Sequence, residues 1–313
     1  MKKLLLILLA TIVVAVGTTV LVIYLRATTD AEPVVTCGQL VRYHDFPSRH
    51  IQPRTVSVWL PDGYTVGDSC CVMYMHDGKM LFDGAVTWNG QEWRVDETFG
   101  RMIQADSIPP CIVVAIDNTS KRMTEYFPTK TWQYVAPDER EHYVEKNILG
   151  DNYLRFLVEE LKPFIDSLYR PLTDREHTFI LGSSMGGLIS LYAICEYPHI
   201  FGGAGCMSTH LSMRHLPVAD PEVWGDHEVW FEAFCRYLRQ NLPEANSCRI
   251  YMDHGTRSID ADYGTFQPVV DSLFYELGWD DDHFRTLVFE GNSHKEDHWA
   301  ARLNHPLVFL LHP

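Results

Sequence analysis

Positive charge is scarce in this sequence. Its 313 residues hold 26 Lys and Arg against 41 Asp and Glu, a net charge of −15 at pH 7. Nucleic-acid binding needs clustered Lys and Arg along the phosphates, so that class of partner is excluded. A strongly anionic substrate or lipid surface is disfavoured for the same reason. Metal-type spacings are missing as well. None of the eight cysteines falls in a C-x-x-C pair, so a Cys-rich zinc site has no support. The metalloprotease pattern H-E-x-x-H is also absent. The nearest run is "HKEDH", with Lys295 where the glutamate would stand. No internal repeat or low-complexity tract interrupts the chain.

Long apolar runs are missing too, with one exception. Leu4 to Leu25 carry no charge and follow Lys2 and Lys3. That length meets the roughly 20 residues a membrane-spanning helix needs and exceeds the ~7–15 of a secretory signal core. The two lysines favour a cytoplasmic N-terminus and export of the rest. The "ATTDA" that follows also suits cleavage. Residues 1–30 are therefore expected to be a signal-anchor or signal peptide, giving membrane contact if uncleaved. Residues 31–313 are then one domain on the periplasmic or cell-surface side. Export permits disulfides, but Cys111, Cys195 and Cys235 lie in apolar runs and read as buried thiols. Cys70 and Cys71 are adjacent and do not suit a mutual bond.

What is present is alternation of strand and helix. "RTVSVWLP" reads as a half-buried strand. "CCVMYMHDG", "PCIVVAID", "HTFIL", "FGGAGCMS", "CRIYMDHG" and "FRTLVFEG" read as further strands, several apolar throughout. "WRVDETFGRMIQAD", a long amphipathic run over 148–171, "EVWFEAFCRYLRQ" and "FQPVVDSLFYEL" have helical spacing. Residues 118–146 read as a long loop. The pattern predicts an α/β fold with a mostly parallel sheet and helices on both faces.

Gly182-Ser183-Ser184-Met185-Gly186 fits G-x-S-x-G between an apolar strand and a helix. That corner holds a serine on a strained turn above the sheet. Ser184 is thus the candidate nucleophile. A serine needs a base, and the base an orienter, in the chain order Ser, acid, His. His294 follows the last strand, and Ser293 with Glu296 forms a capping-box pattern that would start a helix there. His298, one turn on, reads as structural. Three acids stand between: Asp253 at a strand end, then Asp260 and Asp262 in the following loop. The N–H of Met185 is one candidate oxyanion donor, and the Gly78–Lys79 backbone, at a turn after a buried strand, is the other.

These pieces resemble the esterase D and enterochelin esterase-like branch of the α/β-hydrolases, which includes feruloyl and acetyl-xylan esterases, with bacterial mycolyltransferases as distant relatives. The resemblance rests on "YMHDGKMLF", "WRVDE", "VVAIDNTSKRMTEYFP", "YLRFLVEELKPFIDSLYR", "ILGSSMGGLISLYA", "YPHIFGGAGCMS", "YMDHGTRSID" and "SHKEDHWAARL", in family order over about residues 50–305. It implies a serine esterase with a Ser184, Asp260, His294 triad and no metal or organic cofactor. Its substrate would be a small-molecule or glycan-linked ester, of feruloyl, acetyl or siderophore type. Two departures bear on pocket shape: Lys79-Met80 replace the Gln-Asn often found after the Asp-Gly turn, and the acid lies two residues beyond its place in feruloyl esterases. An acyltransferase would share every residue, and a catalytically silent carbohydrate-binding or scaffold protein would share the fold.

Asn118, Arg122, Glu125 and Tyr126 follow a strand's C-terminal end, where open α/β sheets bind ligands. They are expected to line an acyl or alcohol pocket, against the alternative of an internal ion-pair cluster. Trp88, Trp93, Trp132 and Tyr134 are candidates for an aromatic or sugar-stacking surface.

Overall fold

Strands that are apolar on both parities need a sheet covered on both faces. The computed structural model describes residues 31–137, 148–213 and 227–311, and its strands meet that need. The expected N-terminal signal or anchor lies outside the described residues. The strands are β1 (Gln39–Phe46), β2 (Arg54–Leu60), β3 (Cys71–His76), β4 (Cys111–Ile116), β5 (Thr178–Ser183), β6 (Gly203–Met207), β7 (Arg249–Arg257) and β8 (Phe284–Ser293). They form one eight-stranded sheet in the order β1-β2-β4-β3-β5-β6-β7-β8. The β1–β2 and β2–β4 pairs are antiparallel, and every other pair is parallel.

Alternation along a strand assigns its residues to two cores. In β3, Val72 and Tyr74 enter one, while Cys71, Met73 and Met75 enter the other. Helices α1 (Val95–Gln104), α8 (Glu296–Arg302) and α9 (Asn304–Leu311) close the second core. The first is covered by α3 (Gly150–Arg155), α4 (Lys162–Tyr169), α5 (Met185–Glu196), α6 (His227–Asn241) and α7 (Asp260–Glu276). Helix α5 is buried over nearly its whole surface, matching its all-apolar sequence.

Register sets up the site. Ser183 pairs with Met207, and Met207 with Asp253. The residues that follow β5 and β6, Ser184 and Ser208, therefore leave the sheet as neighbours.

Four sequence expectations change. The stretch after β4 is not wholly loop: α2 (Arg122–Glu125) and a 3-10 segment at Thr129–Tyr134 interrupt it. The long helix of 148–171 contains a π segment, Phe156–Leu161, between α3 and α4, a local widening that periodicity does not reveal. Helix α7 begins at Asp260 itself, so that acid opens a helix instead of lying in a loop. The Ser293–Glu296 capping box is not formed: β8 runs through Ser293, and Lys295 is the residue that precedes α8. None of the eight cysteines is in a disulfide, and Cys235 is only partly buried. No helix among the described residues is long and apolar enough to cross a membrane.

Candidate active site

The G-x-S-x-G corner is a tight turn from β5 into α5. Ser184 holds φ 57 and ψ −122, a backbone region costly for any side chain and typical of strained functional corners. Crossing backbones make the turn possible. A Cβ at Gly182 would lie 2.8 Å from the Gly186 carbonyl carbon and 2.8 Å from His76 Cδ2, so only glycine fits. Met185 is the first residue of α5. Its N–H is one of the helix-start donors without an intrahelical acceptor.

His294 leaves the end of β8, and Asp260 opens α7. His294 Nδ1 and Asp260 Oδ1 are 2.6 Å apart. Asp260 is fully buried, yet it also accepts from Ser208 Oγ at 2.7 Å and the Gly255 N–H at 2.8 Å. Burial pushes its carboxyl up. The hydrogen bonds of His294, Ser208 and Gly255, with the charge on His294, more than offset this and hold it below the usual range. The His294 ring meets Trp299 edge-on at 4.9 Å and Tyr263 at 5.8 Å. His298 accepts the Ser293 N–H through Nδ1, fixing the turn that carries His294.

The rival acids are elsewhere. Asp253, inside β7, pairs with Arg302 at 3.0 Å and accepts from Tyr251 and the Ser208 N–H. Asp262 is exposed on the first turn of α7.

Ser184 and His294 line one cavity of about 530 Å³ with Asp77, Asn118 and Arg122. Trp88, Trp93 and Trp299 are its aromatic walls, and Trp88 is 85% exposed. Arg122 grips both oxygens of Asp77, at 2.6 and 2.8 Å, and Asn118 donates to the same carboxylate. Burial raises the Asp77 carboxyl, but Arg122 and Asn118 bring it below its ordinary value.

Four expected pocket or surface residues are not on that wall. Glu125 is fully buried and bound to Arg54 at 2.9 and 3.1 Å. Tyr126 is fully buried beneath Arg122, whose guanidinium lies 5.3 Å from its ring centre. Trp132 packs against Trp230, and Tyr134 against Tyr237. Gly78 is also off the wall. Asp77 takes a left-handed conformation, φ 58, and turns Gly78 against the end of β4. A Cβ there would lie 2.7 Å from Asp117 Oδ1. Asp77 and Met80 line the cavity in its place.

Sequence reasoning missed Asp77, Ser208, Trp299, Tyr263 and Arg302. Arg302 carried a usable signal: a cation in the apolar close of "HWAARL" calls for a buried partner. Ser208 carried none beyond its place just past β6, and Trp299, inside α8, carried none. Among the described residues, no group of three His, Cys, Asp or Glu is arranged to hold a metal ion.

A family model described as "Putative esterase" matches residues 48–308. The chain belongs to that esterase family. It is a carboxylic ester hydrolase. Over 264 residues it is 26% identical to an uncharacterized Bacillus subtilis protein, YbbA, covering 82% of this chain and 92% of that protein. Its fold is similar to that of a ferulic acid esterase, with TM-score 0.64 and 18% identity, covering 89% of this chain and 99% of that one. It is also similar to the enterobactin esterase FES from Shigella flexneri, with TM-score 0.60 and 17% identity, over 88% of this chain and 60% of the other. At such identities these likenesses speak for the α/β-hydrolase fold.

Proposed function

We propose that this esterase works through an acyl-enzyme on Ser184, with His294 as base and Asp260 as the group that orients it. The observation that carries the reading is the part-buried 2.6 Å contact between His294 Nδ1 and Asp260 Oδ1, made by a histidine that shares a cavity with a serine at a positive-φ corner. With Nδ1 given to the carboxylate, Nε2 is the nitrogen left to take the Ser184 proton. Ser184 Oγ attacks the ester carbonyl, and the proton passes to His294. The imidazolium then returns it to the departing alkoxide, and Asp260 stabilises the charged ring. Water attacks the acyl-enzyme by the same route in reverse. The Met185 N–H stands first in α5, where the helix dipole favours negative charge, and serves as an oxyanion donor.

The proposed substrates are esters with an aromatic or sugar moiety. Trp88, Trp93 and Trp299 offer flat apolar faces, and Asn89, Gln91 and Asn118 offer amides beside them. The solved structures that share the fold include a ferulic acid esterase and an enterobactin esterase. Residues 1–30 are proposed to direct export, with retention on the membrane if uncleaved; fractionation of cells carrying the full chain tests this. Hydrolysis of 4-nitrophenyl acetate, feruloyl esters and acetylated sugars by wild type and by Ser184→Ala tests the mechanism. Turnover by wild type and its loss in the variant are expected. Equal turnover by both would reject Ser184 as nucleophile.

A further inference from the structure

Behind the acid lies a buried polar cluster that the proposed chemistry does not use. Ser208 stands just past β6 in a left-handed conformation, φ 41, with no exposed surface. Its Oγ is within bonding distance of three side chains: Asp260 Oδ2 at 2.7 Å, Arg302 Nη2 at 2.7 Å and Trp299 Nε1 at 3.0 Å. A hydroxyl has one proton and two lone pairs. Guanidinium and indole can only donate, so they fill the lone pairs and leave the proton a single destination, Asp260. The direction of the Ser208 hydroxyl follows from valence alone.

The hydroxyl also keeps two charges apart. Arg302 is 3.7 Å from Asp260 Oδ2, and its close partner is Asp253 at 3.0 Å. Without Ser208, Asp260 Oδ2 would keep only the Gly255 N–H. Arg302 would then be free to close on Asp260 as a direct ion pair, and the carboxylate would turn away from His294. Trp299 joins this cluster to the cavity. Its ring lines the wall and meets His294 edge-on, while its N–H ends on Ser208.

We infer that Ser208 is a positioning residue for ester hydrolysis: it locks Asp260 onto His294, and Arg302 and Trp299 act through it. The inference rests on the Ser184–Asp260–His294 reading. A merely structural Ser208 would affect stability and leave turnover alone. An acid-positioning Ser208 lowers kcat and leaves KM, because it touches no substrate.

The test is steady-state kinetics of the full chain on 4-nitrophenyl acetate, with thermal melts, for Ser208→Ala, Trp299→Phe, their double variant and Asp260→Asn. Ser208→Ala is expected to lower kcat by ~10–100-fold, as loss of one buried network bond does, with KM within about twofold. Trp299→Phe keeps an aromatic face but loses the indole N–H, so kcat falls by ~3–10-fold; KM is no readout for this variant, because Trp299 also lines the cavity. The double variant should be no worse than Ser208→Ala, because the indole acts only through the hydroxyl. Wild-type kcat in Ser208→Ala with a lowered melting temperature overturns the inference, as do effects that multiply in the double variant. If Ser208→Ala does not fold, Trp299→Phe decides: an unchanged kcat, whatever its KM, overturns the inference. Asp260→Asn separates the two failures. Its collapse beside an unaffected Ser208→Ala removes only the positioning role, whereas an unaffected Asp260→Asn removes the triad beneath it as well.

Discussion

Two regions past strand ends each hold buried charges, and they treat them differently. One follows β6, β7 and β8 and carries Ser208, Asp260 and His294. The other follows β4 and carries Asn118, Arg122 and Glu125. In the first, Asp260 leaves one oxygen for His294, whose other nitrogen remains for chemistry. In the second, Arg54 takes both oxygens of Glu125, and Arg122 takes both of Asp77. In the proposed mechanism, the first region differs in keeping a nitrogen of His294 outside these internal bonds. The β4 loop is held in shape by its charges, and the acid–histidine pair is held in readiness by its own.

That contrast is broken most sharply in the first region. Ser184→Ala or His294→Ala should lower kcat on a nitrophenyl ester by ~10⁶-fold, the scale for such a triad. Asp260→Asn should lower it by ~10⁴-fold, because the amide no longer holds the right imidazole tautomer. The second region should answer in stability. Arg54 and Glu125 have side-chain exposures of 1% and 0%. Glu125→Gln leaves a buried cation short of its partner and should cost ~3–5 kcal/mol in urea unfolding, with kcat and KM on the folded enzyme unchanged. A kinetic defect at wild-type stability would place Glu125 back in the pocket.

Asp117, at the end of β4, adds a pH dependence. Burial raises its carboxyl from 3.8 to about 6, against the pull of Lys79, Arg42 and Arg54, and Oδ2 has no partner. A carboxyl held up in the folded state gives stability that is complete below pH ~4 and is lost as pH rises through ~6. Asp117→Asn should therefore match wild type near pH 4 and exceed it at pH 7 by ~3 kcal/mol. Denaturant melts of both proteins across that range check the sign. The smallest effect is at the cavity mouth. Trp88→Ala should raise KM for an aryl ester by ~2–10-fold at unchanged stability, while Trp132→Ala, off the wall, should leave KM alone.

The fold was legible because strands that are apolar on both parities, such as "CVMYMH", fit only a doubly covered sheet. The serine corner was legible because strand, glycines and helix agree at one place. Glu125 and Tyr126 were misjudged because sequence shows that a residue follows a strand, but not whether it turns outward or back toward β2. Trp132 failed similarly: an aromatic in a polar stretch reads the same facing a cavity or facing Trp230. Ser208 was invisible because its role depends on three elements meeting around one hydroxyl, which no local pattern records.

The most direct measurement is the intact mass of the folded enzyme after exposure to a fluorophosphonate, for wild type and Ser184→Ala. A single adduct on wild type and none on the variant is the predicted result. An unlabelled wild type that is folded, or an adduct that survives Ser184→Ala, would contradict the assignment of Ser184 as the activated nucleophile.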